Sequence, residues 1–193
     1  MSLLKKLLIG LLLLILVAVG STFFMSDNFR VYHTQVVKAS PEAVFNQLNT
    51  IKNWNNWSYW NSLDPKMTMT FNDIPSGEGA GYSWKSEKKD VGNGSLVIKK
   101  SDPNAYIKLD LDFNGEGNAW SEYILKPVAG GTEVTSAMNM DTKGVFMKLM
   151  SRTMMRTGMK KAFKTSMDNM EKYLAEHPDV PAPTPIVPDS AKL

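Results

Sequence analysis

The sequence contains no cysteine and only two histidines, His33 and His177. Without cysteine, the chain can form no disulfide, no thiolate metal site and no cysteine nucleophile. The two histidines lie near opposite ends of the chain, which excludes a histidine-rich metal site. A serine–histidine catalytic triad would have to use one of them. We therefore assign no metal, no cofactor and no catalytic residue from the sequence.

A strong excess of charge is also missing. The chain carries 22 basic and 19 acidic residues, for a net charge of +3. This charge is too small to indicate nucleic-acid binding, and the basic residues do not accompany a nucleic-acid-reading motif, so we expect no nucleic-acid partner. With 43% hydrophobic and 21% charged residues over 193 positions, the composition is typical of one globular domain with appendages.

The most apolar stretch of the chain is its N-terminus, from Leu7 to Met25. It is long enough to cross a membrane as a helix. Lys5 and Lys6 precede it and the next positive charge is Arg30, so the positive-inside rule puts the N-terminus in the cytoplasm and the domain outside.

A cleaved signal peptide is the alternative interpretation of this segment. Ala18-Val19-Gly20 has small residues at the two positions that matter before a cut. The apolar run continues past this point to Met25, so we expect residues 1–25 to be an uncleaved transmembrane anchor. The domain would then face the cell envelope; after cleavage it would be secreted.

Residues 29–177 predict a single α+β domain. A strand over 29–39 is followed by Ser40, a favourable N-cap, and Pro41, which suits the first position of a helix. Six further strands between residues 66 and 139 alternate apolar and polar residues and are separated by turn signals. Consecutive hairpins of this kind indicate an antiparallel sheet with one buried face.

The longest helix after the anchor is predicted from Lys143 to Glu176, with many methionines on its apolar side. It is the element with the length and apolar stripe to cover the sheet. Between Lys143 and Lys164 it carries seven basic residues and no acidic one. We expect any bend or late start between Lys143 and Gly158. Residues 178–193 contain five prolines and are predicted to be disordered.

Three segments and the long helix resemble the SRPBCC, or START-like, superfamily, also called polyketide cyclase/dehydrase-like and related to the birch pollen allergen. The segments are ASPEAVFNQL (39–48), NWNNWSYWNSLDP (53–65) and PSGEGAGYSW (75–84). The resemblance implies a helix-grip fold, with a curved antiparallel sheet of about seven strands around the C-terminal helix and two short helices after strand 1. It also implies a hydrophobic cavity between helix and sheet, but no single activity.

Ten side chains are candidates for lining that cavity: Trp54, Trp57, Trp60, Tyr82, Trp84, Trp120, Met155, Met159, Phe163 and Met167. Aromatic residues are frequent in pocket walls, and methionine adapts to varied apolar ligands. Ordinary core packing is the alternative for all of them. The tryptophans at 54, 57 and 60 are spaced by three, so we expect them on one side of a short helix.

A row of basic residues spaced by four is a candidate membrane surface: Lys148, Arg152, Arg156 and Lys160. The row could contact anionic lipid headgroups near the anchor, or form a solvated face. Each step of four drifts about 40° around an α-helix, which predicts an oblique stripe. The glycine-rich segment 77–81 lacks the Gly-Lys-Ser/Thr ending of a phosphate-binding loop and is predicted to be a hairpin loop.

We interpret the chain as a membrane-anchored domain that binds a hydrophobic or amphipathic, lipid-like small molecule. A cyclase- or dehydratase-like enzyme is one alternative, for which the strand residues His33, Asp110, Glu122 and Tyr123 are conceivable titratable groups. The other alternative is a protein- or membrane-interaction module without a ligand, using the basic helix face and the proline-rich tail.

Overall fold

The computed structural model describes residues 2–114 and 118–178. The first element, α1 (Leu3–Ser21), is followed by a 3₁₀ turn (Thr22–Phe24). Together they form a 22-residue segment, of which an 18-residue window has a mean hydropathy of 2.7, long and apolar enough to cross a membrane or to be a signal sequence. The predicted proline-rich tail, residues 178–193, lies outside the described residues except for Pro178.

Seven strands form one antiparallel sheet in the order β1-β7-β6-β5-β4-β3-β2. The strands are β1 (Asn28–Val37), β2 (Thr68–Phe71), β3 (Gly81–Lys85), β4 (Asn93–Asp102), β5 (Tyr106–Asp112), β6 (Asn118–Val128) and β7 (Gly131–Asp141). Each strand after β2 pairs with its predecessor through a hairpin, and β1 pairs with β7, so that β1 and β2 are the two edges of an open sheet. The predicted α+β helix-grip architecture is confirmed, and the glycine-rich loop joins β2 to β3 as expected.

Two short helices and a 3₁₀ segment connect β1 to β2: α2 (Pro41–Asn49), the 3₁₀ segment (Ile51–Asn56) and α3 (Tyr59–Leu63). The start of α2 follows the sequence signal, because Pro41 is its first residue and the Ser40 hydroxyl accepts a hydrogen bond from the Ala43 amide at 3.2 Å. Val44 and Leu48 then bury the inner face of α2.

The long C-terminal helix begins at Val145 rather than at Lys143 and contains a π turn. It consists of α4 (Val145–Met150), the π turn (Ser151–Met155) and α5 (Arg156–Glu176). Gly144 has a φ of +86°, so the chain turns from β7 into α4 through a backbone conformation that favours glycine. Both the late start and the π turn fall between Lys143 and Gly158, where an irregularity was expected.

The core between the long helix and the sheet has two lobes. The proximal lobe is the one nearer to the anchor. It is formed by Phe29, Val31, Ala119, Met138, Met140 and Phe163. The distal lobe is larger, and its centre is formed by Trp54, Trp57, Tyr82, Tyr123, Met167 and Met170. Side chains of the sheet, the tryptophan segment and the helix therefore meet in the space where the resemblance implies a cavity.

Candidate ligand-binding interior

Strand alternation decides which side chains face the long helix. On β1 the residues with odd numbers, from Phe29 to Val37, point inward, and His33 is among them. His33 lies at the rim between β1 and α5, where its Nε2 is 3.2 Å from Gln35 Oε1. The Gln35 amide donates in turn to Asp168 of α5 at 2.9 Å. These contacts join β1 to α5.

Trp54 and Trp57 form the roof of the distal lobe. Their ring centroids are 4.9 Å apart, and both rings meet Tyr123 edge-on. Their indole N–H groups donate to the carbonyls of Leu48 and Gln47 at 2.9 and 3.2 Å, which satisfies the polar end of each buried ring. The helical path breaks at Trp57, so the expectation that three tryptophans share one side of a helix is wrong.

The remaining aromatic candidates are divided between different surfaces. Trp60 is half-buried in α3 and contacts Tyr59. Tyr82 and Trp84 face inward from β3, and a Cβ at Gly94 would lie only 2.6 Å from the Trp84 ring, so glycine lets this indole lie against β4. Trp120 instead lies on the outer face of β6, with the Lys108 ammonium 5.6 Å from its ring centroid. It therefore does not line the interior.

The helix candidates point inward to different depths. Met167 is fully buried in the distal lobe and Phe163 is buried in the proximal lobe. Met155 and Met159 are half-buried against the proximal lobe. Flexible methionine side chains therefore form part of the wall at the end of the interior that lies nearest the anchor.

Between the two lobes lies a polar layer that the sequence analysis did not identify. We call it the serine belt: Ser121 on β6, Ser136 on β7 and Ser166 on α5, all buried. Ser121 donates to the Ala137 carbonyl at 2.8 Å, and Ser166 accepts from the Tyr59 amide at 3.0 Å. Within the described residues the Ser136 hydroxyl has no hydrogen-bond partner, although it is fully buried. Such a group calls for an explanation.

The flanking residues show that the serine belt is a boundary. On the inner face of β7, Ser136 stands between Val134 of the distal lobe and Met138 of the proximal lobe. Burial raises the pKa of the neighbouring Tyr123 well above its ordinary value, so its hydroxyl stays protonated at neutral pH. The interior therefore offers neutral hydrogen-bonding groups between two apolar compartments.

Sequence and structure comparisons agree with this architecture. The sequence profile of the family "Polyketide cyclase / dehydrase and lipid transport" matches residues 28–175. The chain belongs to this family. No curated protein matches the sequence.

Solved structures with the same fold have low sequence identity to this polyketide cyclase-like chain. A protein of unknown function from Staphylococcus aureus is 14% identical, with a TM-score of 0.60 over 78% of this chain and 95% of that one. The di-domain ARO/CYC StfQ of the steffimycin biosynthetic pathway is 10% identical, with a TM-score of 0.62 over 79% of this chain and 52% of that one. A Rhodobacter sphaeroides protein is 18% identical, with a TM-score of 0.55 over 77% and 93%. At these identities the likeness concerns the fold alone.

The two carboxylates considered for catalysis, Glu122 and Asp110, lie on the outer face of the sheet, away from the long helix. Glu122 accepts hydrogen bonds from Arg30 at 2.9 Å, Tyr106 at 2.9 Å and Asn139 at 3.2 Å, which joins four neighbouring strands. Asp110 lies on the same face, near Lys99. Since both carboxylates point away from the helix, neither can act on a molecule in the interior.

The Glu122 network shifts two pKa values. Partial burial raises the pKa of Glu122, but hydrogen bonds from Tyr106, Asn139 and Arg30 and the charge of Arg30 outweigh it, so the net pKa is lowered. Desolvation and the bond to Glu122 raise the pKa of Tyr106 to about 12. At neutral pH the network therefore consists of an ion pair between Glu122 and Arg30, to which the neutral side chains of Tyr106 and Asn139 donate hydrogen bonds.

We predict that Glu122→Gln lowers the free energy of unfolding by about 1–2 kcal/mol at neutral pH, because hydrogen bonds to a charged group are lost. The folded pKa of Glu122 lies below the unfolded value of 4.5, so this stability is complete above that pH and is lost as pH falls through the folded pKa. Urea unfolding of the full chain in detergent at about pH 7 and about pH 3 measures the effect. The difference between variant and parent should shrink at the lower pH. Glu133→Gln, on the same face but outside the network, is the control.

The basic row is largely occupied by the segment that links the anchor to β1. Lys148 pairs with Asp27 at 2.7 Å and donates to the Thr22 carbonyl at 3.3 Å. Arg152 donates to the Ser26 carbonyl at 2.9 Å, and the Arg156 guanidinium lies 5.3 Å from the Phe29 ring centroid. Lys148 and Arg152 therefore hold the linker, and Arg156 lies against the start of β1.

The π turn explains how the row can do this. A spacing of four exceeds a full turn in an α-helix by about 40°. A π turn holds more residues per turn, so the same spacing falls short there. The two deviations offset each other, and Lys148, Arg152 and Arg156 all face the linker and the start of β1 instead of forming an oblique stripe. Lys160, one step further along α5, is exposed.

Clefts with open space lie at the distal rim of the domain. One of about 240 Å³ lies between Ile51 of the tryptophan segment and the loop that follows Phe71. Another of about 260 Å³ lies on β2, β3 and β4 and includes Tyr82. Within the described residues, histidine, aspartate and glutamate form no group of three that could hold a metal ion.

Proposed function

We propose that this domain binds an apolar or amphipathic small molecule, such as a lipid-derived chain with one polar group, between the long helix and the sheet. The observation that carries the proposal is the unpartnered, fully buried Ser136 hydroxyl between two apolar lobes. Ligand sites in proteins are mostly apolar with a few placed polar groups that fix orientation. The family description, which includes lipid transport as well as cyclases, supports this class of ligand.

Binding requires space, and methionine side chains can provide it. Met155 and Met159 are only half-buried at the proximal end, and unbranched thioether chains change rotamer at low cost. Displacement of these two side chains would open a path from the proximal lobe to the serine belt. A ligand would then place its apolar part in the proximal lobe and its polar group at Ser136.

We further propose that α1 stays attached as a membrane anchor, with Lys5 and Lys6 in the cytoplasm and the domain in the cell envelope. With α1 retained, the contacts of Lys148 and Arg152 would keep the domain close to the bilayer, because they hold the first residues after α1 against the domain. A domain fixed close to a bilayer has direct access to amphipathic molecules. Its ligand would accordingly be one that partitions into membranes.

A fluorescent fatty acid tests the proposed site on the full chain in detergent or nanodiscs. Ser136→Ala should weaken probe binding, while the free energy of unfolding stays the same or rises by about 1 kcal/mol, because a buried unpaired hydroxyl is removed. The matched control is Ser151→Ala, because Ser151 is equally buried but donates to the Lys148 carbonyl outside the interior.

The outcomes of this test differ for the alternatives. Native mass spectrometry of the gently purified chain should also show a bound lipid-like mass that organic extraction removes. Absence of both the bound mass and saturable probe binding would overturn the proposal. Probe binding that is unchanged in Ser136→Ala would move the site away from the serine belt.

A further inference from the structure

The most exposed large hydrophobic side chains of the domain concentrate near its attachment to the anchor. Outside α1, and within the described residues, four are more than 70% exposed: Phe23 at 81%, Phe24 at 93%, Phe146 at 73% and Met154 at 76%. Phe23 and Phe24 are the last residues of the apolar 22-residue segment, just after α1, and the other two lie on α4 and the π turn. Met154 lies further along the helix, but Phe23, Phe24 and Phe146 lie close to the end of α1, and exposed apolar groups that cluster in this way mark an interaction surface.

The contacts of α4 place Phe146 at the level where α1 ends. Lys148, two residues further along α4, reaches the carbonyl of Thr22, the first residue after α1. Residues of α4 also lie within 8 Å, between Cα atoms, of the 3₁₀ turn Thr22–Phe24, so Phe146 in the first turn of this short helix lies beside the end of the anchor. The headgroup layer on each side of a bilayer is roughly 5–8 Å thick. An anchor that spans the bilayer therefore brings Phe146 to this layer.

The charge of this end suits a phospholipid surface. Lys143, just before α4, is exposed, and residues 142–167 contain no acidic side chain. Two carboxylates lie next to this segment: Asp27 of the linker, whose charge is paired with Lys148, and Asp141 at the end of β7. Anionic headgroups therefore meet no repulsion from α4 or the first turns of α5.

We propose that Phe23, Phe24, Val145 and Phe146 form a bilayer-docking surface that seats the base of the domain in the headgroup layer. This inference rests on the uncleaved anchor proposed above but not on ligand binding. Docking fixes the domain with Phe29 and the proximal lobe toward the bilayer. Met154, eight residues beyond Phe146 and about 12 Å further along the helix, lies outside the headgroup layer.

The absence of cysteine makes this surface accessible to single-site labelling of the otherwise unchanged full chain. Phe146→Cys, Met154→Cys and Tyr32→Cys would each carry an NBD fluorophore, in vesicles of phosphatidylethanolamine and phosphatidylglycerol. We expect the probe at 146 to be quenched by lipids spin-labelled near the headgroup and protected from aqueous iodide. The probes at 154 and at 32, an exposed position on the outer face of β1, should show the reverse.

A second pair of variants, Val145→Cys with and without Phe146→Glu, tests whether Phe146 itself causes the docking. A probe at Val145→Cys should lose lipid quenching and gain iodide quenching when Phe146→Glu is added. Iodide quenching at 146 equal to that at 32 would overturn the proposal. So would protection from both quenchers, since the surface would then be covered by protein, such as a second copy of the chain.

The anchor is checked separately from the surface and from the ligand site. The intact mass of the chain purified from cell membranes should include residues 2–20. A mature chain that starts at Ser21 would overturn docking in cells. Fatty-acid binding by the purified domain would be unaffected by that result, so failure of this proposal and failure of the proposed function remain distinguishable.

Discussion

Met167→Asp should abolish folding of the domain or lower its free energy of unfolding by more than about 4 kcal/mol. Met167 is fully buried at the centre of the distal lobe, where α5 faces the sheet. A carboxylate at this position loses its hydration without gaining a partner, and its pKa would rise until it binds a proton. Urea unfolding of the full chain in detergent, followed by tryptophan fluorescence, measures the loss. Raising the pH should increase it, because the unfolded state then favours the ionised form.

The same substitution at another methionine of the same helix is the matched control. Met154 is 76% exposed on the π turn, so Met154→Asp should change the free energy of unfolding by no more than about 0.5 kcal/mol. Met167→Leu keeps the apolar volume and should cost less than about 1.5 kcal/mol. Equal effects of aspartate at 154 and 167 would mean that the sheet does not enclose the helix.

The contrast between these two methionines also shows what helical periodicity can and cannot predict. Periodicity identified the long helix, its methionine-rich inner side and the interval in which it would be irregular. It did not identify the π turn, because no residue pattern distinguishes an extra residue in a helix from a drifting stripe. The function of the basic row depended on this detail, since Lys148 and Arg152 bind a linker that is more than 100 residues distant in sequence.

Strand periodicity has a corresponding limit, which explains the placement of Trp120. Alternation separates the two faces of a strand but does not say which one is buried, and β6 carries large apolar residues on both. The sequence nevertheless contained a signal, because Trp120 has the same parity as Glu122 and Lys126. Charged residues on one parity indicate the solvent face, and the inward parity therefore belongs to Tyr123 and Leu125.

The sequence did not reveal the serine belt because its strand residues are small polar side chains on a face that is otherwise apolar. Ser121 and Ser136 have the same parity as buried apolar residues on their strands, and a small polar residue in such a run is easily taken for a tolerated exception. Only the register of β6 and β7 shows that Ser121 and Ser136 lie at the same boundary, and only the packing of α5 between the two lobes brings Ser166 to it. Local patterns thus predicted the elements of the fold well, whereas the chemistry of its interior depends on pairing across strands.

Trp57→Ala should lower the free energy of unfolding by about 3–5 kcal/mol, which includes both lost burial and the cavity left behind. The Trp57 ring is 2% exposed, and it packs between Trp54 and Tyr123. Far-UV circular dichroism of the full chain during urea unfolding measures the change without relying on the removed fluorophore. Trp60→Ala, at a half-buried position in α3, should cost much less.

Added indole should restore much of what Trp57→Ala loses, because a ligand that binds only the folded state stabilises it by mass action. An apolar cavity of this kind binds aromatic molecules readily. The Trp57 N–H donates to the Gln47 carbonyl at 3.2 Å, so indole should stabilise the variant more than benzothiophene, which has a similar shape but no donor. Neither compound should affect Trp60→Ala in this way. Equal costs for Trp57→Ala and Trp60→Ala would show that the distal lobe rearranges to fill the space left by the Trp57 ring. A ligand could then reach the serine belt from the distal lobe as well as from the proximal lobe.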